Sequence, residues 1–164
     1  MATEVINETD FKNIEEKDFY RLSSFIFDKM RVPANVDLNI LFVDSEESAN
    51  LHKEWMDLDG PTDVLSFPVD ELRPGVINYK ELLPEDADKI LGDIVICPEI
   101  ASIQAQKAGH TTHEEMLLLA THGILHLLGY DHVEPDEKRE MFDLQRKLLV
   151  DFLAHNIPGL PKSN

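Results

Sequence analysis

Apolar and polar positions alternate along this chain with two different periods, and the switches between them mark its elements. Thr3 to Asn7 reads as a short strand. Between Glu15 and Met30 the apolar residues Phe19, Leu22, Phe25, Ile26 and Met30 fall at helical spacing. Val36 to Val43 alternates and then turns wholly apolar, which predicts a strand. Asp44-Ser45-Glu46-Glu47 has the form of a capping box and should open a helix to about Met56. Gly60-Pro61 predicts a turn and Val64 to Val69 a strand. Asp70 to Lys89, with Pro74, Gly75, Pro84 and several acids, breaks both periods and reads as a long loop. Ile90 to Cys97 is strand-like, and Pro98 then suits the first turn of a helix reaching about Lys107. Thr112-His113-Glu114-Glu115 predicts a second capping box, opening a helix over Met116 to Leu128. That helix is apolar nearly all round and should be buried. A last helix starts at Pro135, with a core stripe of Met141, Leu144, Leu148 and Phe152. Strands interleaved with helices predict one α/β (α+β) domain over residues 1–164. Its mixed sheet of about four strands is packed with helices, and the Met116–Leu128 helix is central.

Composition narrows the class. The chain has 164 residues and is 43% hydrophobic, enough for a real core and too apolar for a disordered chain. Its single cysteine, Cys97, excludes an internal disulfide and closes the apolar run Ile94-Val95-Ile96, so it reads as a small buried hydrophobe. Residues Met1 to Glu8 show no basic segment followed by an apolar one, and Met116 to Leu128 is too short for a bilayer. A soluble, cytoplasmic protein with no membrane partner is expected.

The buried helix carries the chemistry. His122-Gly123-Ile124-Leu125-His126-Leu127-Leu128-Gly129-Tyr130-Asp131-His132 has the form H-x-x-x-H-x-x-G-x-x-H. His122 and His126 sit one turn apart on one helix face. Gly129 should end the helix in a left-handed cap, letting the chain reverse and bring His132 back toward them. Three imidazoles with no fourth protein ligand match a catalytic zinc site whose open position takes a water. The spacing resembles the metzincin peptidases, H-E-x-x-H-x-x-G-x-x-H. Their general base follows the first histidine, where this chain has Gly123, which has no acid or base function.

The whole string, together with Pro61-Thr62-Asp63-Val64-Leu65-Ser66-Phe67-Pro68 and Leu91-Gly92-Asp93-Ile94, closely resembles the YbeY family of bacterial endoribonucleases. The resemblance covers nearly the whole chain. It implies a zinc-dependent, single-strand-selective ribonuclease with one Zn²⁺ per chain, acting in 16S rRNA 3′-end maturation and ribosome quality control. It also implies RNA, the small ribosomal subunit and its assembly proteins as partners. His122, His126 and His132 would hold the metal, lowering the pKa of a coordinated water toward ~7. No catalytic side chain is assigned. Asp131 beside the third ligand is a candidate to orient a histidine or take a proton, or is simply a turn residue. By the resemblance Asp63, Thr62 and Ser66 line the cleft, and otherwise they serve strand-start hydrogen bonding. The family often carries a Tyr-Arg pair a few residues before the Pro61 string, and here the matching pair is Trp55-Met56.

The formal net charge of −17 bears on that reading. Nucleic-acid binders usually carry a basic footprint, so RNA contact should be local, short and partly metal-mediated. Lys107, His110 and His113 before the histidine string, and Lys138, Arg139, Arg146 and Lys147 after it, are the candidate cations, each read first as a solvated surface residue. Two other classes stay open. One is a zinc peptidase or amidase with its base supplied from elsewhere, which Gly123 disfavours. The other is a non-catalytic ribosome-assembly factor with structural zinc, which needs a fourth ligand such as Asp131 or Cys97.

Overall fold

The computed structural model describes residues 3–33, 36–68, 89–130 and 134–156. In chain order the elements are β1 (Thr3–Asn7), α1 (Glu16–Lys29), β2 (Val36–Phe42), α2 (Ser45–Met56), β3 (Val64–Pro68), β4 (Lys89–Ile96), α3 (Pro98–Ala108), α4 (Thr112–Leu127) and α5 (Pro135–Asn156). The strands form one mixed sheet in the order β1-β2-β4-β3. β1, β2 and β4 run parallel, while β3 pairs antiparallel with β4. Parallel neighbours need a long crossover, which α1 provides between β1 and β2. The predicted four-stranded sheet and central histidine helix are both present. The predicted loop from Asp70 to Lys89 lies outside the described residues, apart from Lys89, which begins β4.

Strand alternation gives the sheet two different faces. Leu38, Ile40 and Phe42 of β2 and Ile94 and Ile96 of β4 point to one side and are fully buried. There they join Phe19, Leu22 and Ile26 of α1, Met116, Leu117, Ile124 and Leu125 of α4, and Met141, Leu148 and Phe152 of α5 in one hydrophobic cluster. Burying each such side chain is worth about 1.5–3 kcal/mol. The other side carries a small cluster of Val43, Leu65 and Val95, with Leu41, Phe67 and Leu51 of α2 against it.

Helix α4 begins at Thr112, four residues before the Met116 expected from the sequence, and ends at Leu127, one before Leu128. The cap is Thr111, not Thr112. Its hydroxyl accepts from Glu114 N–H, and the Glu114 carboxylate accepts from Thr111 N–H, a complete capping box. At α2 the Asp44 carboxylate accepts from Glu47 N–H at 2.9 Å, which is one half of the box read from the sequence.

Gly129, at φ +100°, ends α4 as expected. Tyr130 N–H donates to Leu125 O and Gly129 N–H to His126 O, each at 3.0 Å. This is a Schellman turn, and its left-handed residue favours glycine.

Leu91-Gly92-Asp93-Ile94 acquires a physical meaning here. Asp37 pairs with Ile90 but Leu38 pairs with Gly92, so Leu91 is an extra residue that bulges β4. A Cβ on Gly92 would run into the Phe67 carbonyl and come within 2.8 Å of Leu127 Cδ2 on α4. A Cβ on Gly123 would lie 2.9 Å from Ile94 Cγ2. Two missing side chains, one on the strand and one on the helix, thus let α4 press directly onto β4 beside its histidines.

Candidate functional site

His122 and His126 stand one turn apart on α4, partly exposed among buried neighbours. Helix α4 lies between the sheet and helices α1, α3 and α5, so the two imidazoles are mounted on a helix packed from several sides. His122 Nδ1 lies 2.9 Å from Gln145 Oε1 of α5. Since the amide oxygen only accepts, Nδ1 carries the proton, which fixes the tautomer of His122. The His122 ring also stacks on Phe142, with centroids 6.0 Å apart and planes at 24°. His126 differs. Its Nδ1 is buried and has no hydrogen-bond partner among the described residues. His113 Nδ1 shares this state among the described residues, and an unpaired buried polar atom costs about 1–3 kcal/mol.

The donor set therefore fits a zinc ion in part. Two imidazoles at i and i+4 sit on one buried helix, one of them with its tautomer fixed. His132 and Asp131 lie outside the described residues. Among the described residues, no three His, Cys, Asp or Glu side chains gather to hold a metal. Cys97 is thus not assembled with His122 and His126 into such a group. It is 1% exposed, and burial raises its thiol pKa, as for a small buried hydrophobe.

A cavity of about 430 Å³ adjoins His122, lined by Asp63, Val64, Glu115, Leu118, Leu119, His122, Phe142 and Gln145. The Pro61-Pro68 string supplies one wall. Ser48 of α2 accepts from Thr62 N–H at 3.0 Å and donates to Thr62 O at 2.9 Å, which pins the start of the string. Asp63 Oδ1 accepts from Val64 N–H at 2.7 Å and from the Thr62 hydroxyl at 3.2 Å, and Asp63 O accepts from Cys97 N–H. Strand-start bonding and cleft lining, posed as alternatives for Asp63, are both realised in one residue. Ser66 shares its strand face with Val64, on the α4 side, but does not line this cavity.

Glu115, Phe142 and Gln145 were not legible as site residues. Glu115 precedes His122 by seven residues, two helical turns on one face, and that spacing was the available signal. Gln145 interrupts the α5 stripe with a buried amide, 7% exposed.

Two expected cations prove to be internal. His110 Nε2 meets Glu115 Oε1 at 2.5 Å, and His113 Nε2 meets Asp18 Oδ2 at 2.8 Å. They brace the start of α4 and are spoken for as phosphate ligands. Lys138 lies over the Phe142 ring, 5.9 Å from its centroid. Lys107, Arg139, Arg146 and Lys147 are exposed, as a solvated surface requires.

The sequence profile described as Endoribonuclease YbeY matches residues 4–153. The chain belongs to the YbeY family. Its sequence is 56% identical to the Endoribonuclease YbeY of Beutenbergia cavernae over 94% of this chain and 99% of that one. It is 54% identical to the protein of that name from Bifidobacterium longum, over 94% of this chain and 81% of the relative. The solution structure of TM1509 from Thermotoga maritima superposes with a TM-score of 0.61 at 27% identity, covering 96% of this chain and 99% of that one. The chain is accordingly an endoribonuclease, a hydrolase acting on RNA. It belongs to a family of metal-dependent nucleases whose role is rRNA maturation.

By the resemblance, the family often carries an arginine where this chain has Met56. Met56 is 56% exposed at the end of α2, next to Trp55 at 64%. Core packing therefore does not explain the methionine. At an exposed site Met56→Arg should change stability by less than about 0.5 kcal/mol. If the position faces RNA, the slope of log K against log salt should steepen by about 0.7. Salt titrations of RNA binding beside thermal melts check this, and an unchanged slope would remove the position from the RNA path.

Proposed function

We propose that this chain is a zinc-dependent endoribonuclease selective for single-stranded RNA, acting at the 3′ end of 16S rRNA and in ribosome quality control. His122, His126 and His132 would hold one zinc per chain. The observation that carries the reading is the asymmetric state of the two helical histidines. One imidazole is proton-fixed by Gln145, and the other has a buried ring nitrogen that nothing among the described residues satisfies. Bound zinc would supply an activated water and offset phosphate charge. The protein's own residues do the positioning. Gln145 holds the His122 tautomer, Phe142 packs flat against that ring, and Gly123 and Gly92 set the helix against the sheet. The small ribosomal subunit and its assembly proteins are the proposed partners, and the cytoplasm is the proposed location.

The peptidase alternative loses further ground. A Glu at position 123 would point a side chain into Ile94, because that helix face is the sheet contact. Zinc-loaded protein incubated with an unstructured RNA, the same RNA in a duplex, and casein tests the assignment. Cleavage of the single strand alone is expected. Casein hydrolysis without RNA cleavage would overturn it.

A further inference from the structure

We propose that the cavity beside His122 is a nucleobase subsite that selects guanine next to the bond cleaved. The proposal rests on the ribonuclease reading and adds a base preference to it. The apolar walls are Val64, Leu118, Leu119 and the Phe142 ring, and about 430 Å³ suffices for a purine. Besides His122, three polar side chains line it: Asp63, Glu115 and Gln145. Glu115 and Gln145 are both more than nine-tenths buried, at 6% and 7% exposure. A buried carboxylate and a buried amide at the wall of a cavity make a built site, not a solvated surface.

The hydrogen-bonding roles are restricted by bonds already made. Glu115 Oε1 is held by His110 Nε2, which fixes the carboxylate and leaves its second oxygen to accept. Asp63 Oδ1 is taken by Val64 N–H and the Thr62 hydroxyl, leaving its other oxygen to accept. Gln145 Oε1 is used by His122, so its amide N–H groups remain to donate. The cavity thus offers carboxylate acceptors at two points and an amide donor at a third.

Among the four bases, guanine has the matching edge, with N1–H and the N2 amino group as donors and O6 as acceptor. Uracil offers one donor between two acceptors. Adenine and cytosine each offer a single amino group beside ring acceptors, which would face the carboxylates unpaired. Single-stranded RNA is commonly read by hydrogen bonds to such splayed-out base edges. A good two-point pairing discriminates by about tenfold or more.

The test has two arms. Isothermal titration of zinc-loaded protein with GMP, AMP, CMP and UMP should show GMP binding about tenfold tighter than the others. Equal affinities would overturn the proposal. Glu115→Gln and Asp63→Asn should each reduce the GMP advantage to threefold or less. If Glu115 only braces the helix, its variant will melt earlier with the advantage intact, and that result also counts against the subsite. In the second arm, unstructured RNAs with a single guanosine should be cut preferentially beside it. Cleavage without base preference overturns the subsite and leaves the nuclease assignment standing. Absence of any cleavage, with GMP selectivity retained, would strike the assignment and not the pocket.

Discussion

His126→Ala should purify with only a small fraction of the zinc carried by the wild type, which should hold about one ion per chain. The effect should be large because the other two ligands cannot compensate. With His126 removed, α4 offers the metal one imidazole, and the closing ligand must come from beyond the Gly129 turn. The fold should tolerate the change better than most core substitutions. His126 is partly exposed, and its Nδ1 has no hydrogen bond to lose among the described residues. Deleting it leaves no orphaned partner of the kind that makes buried polar substitutions costly. Metal analysis beside a thermal melt separates the two effects. Full zinc occupancy in a folded His126→Ala protein would remove this residue from the metal centre. Gln145→Leu should act more gently, since loss of an outer partner of a metal-binding histidine typically weakens affinity about 10–100-fold.

Gly123→Glu should lower stability by about 1–3 kcal/mol and reduce RNA cleavage without creating a peptidase. Any side chain at 123 begins 2.9 Å from Ile94 Cγ2. Ile94 is itself fully buried between α4 and the sheet, so it has little room to give. The helix must lift away from β4, and the histidine face lifts with it. Gly123→Ala separates crowding from charge, because it brings the same Cβ without a carboxylate. Both variants should melt below the wild type, with the glutamate lower. A melting temperature unchanged in both, or casein hydrolysis by the glutamate variant, would contradict this packing account.

The sequence made the regular parts of the fold legible because they obey simple periods. The α5 stripe of Met141, Leu148 and Phe152 is buried as its spacing predicts. The turn at Gly129 follows from a glycine placed after an apolar helix. The cap of α4 falls one residue before the expected Thr112 because Thr111 and Thr112 are both good caps, and only the reach of Glu114 decides between them. Leu91 as a bulge residue had no local signature, since a bulge is defined by what lies across the ladder. His110 and His113 were sorted with the surface cations for a similar reason. The partner of His113 is Asp18, 95 positions away, and no local pattern reports such a pairing. The histidines of the site were visible through spacing alone, whereas Glu115 and Gln145 became visible only once α4 and α5 were packed together. Asp63 was visible through the family string, and its pinned carboxylate needed the fold.

The most direct measurement compares cleavage of one unstructured RNA by zinc-loaded wild type and by His126→Ala, prepared and purified identically. The wild type should cleave rapidly, lose that activity on chelation and regain it on zinc addition, while the variant should show only background at every zinc level. Equal cleavage by the two proteins would contradict it, since the activity would then owe nothing to the histidine face of α4.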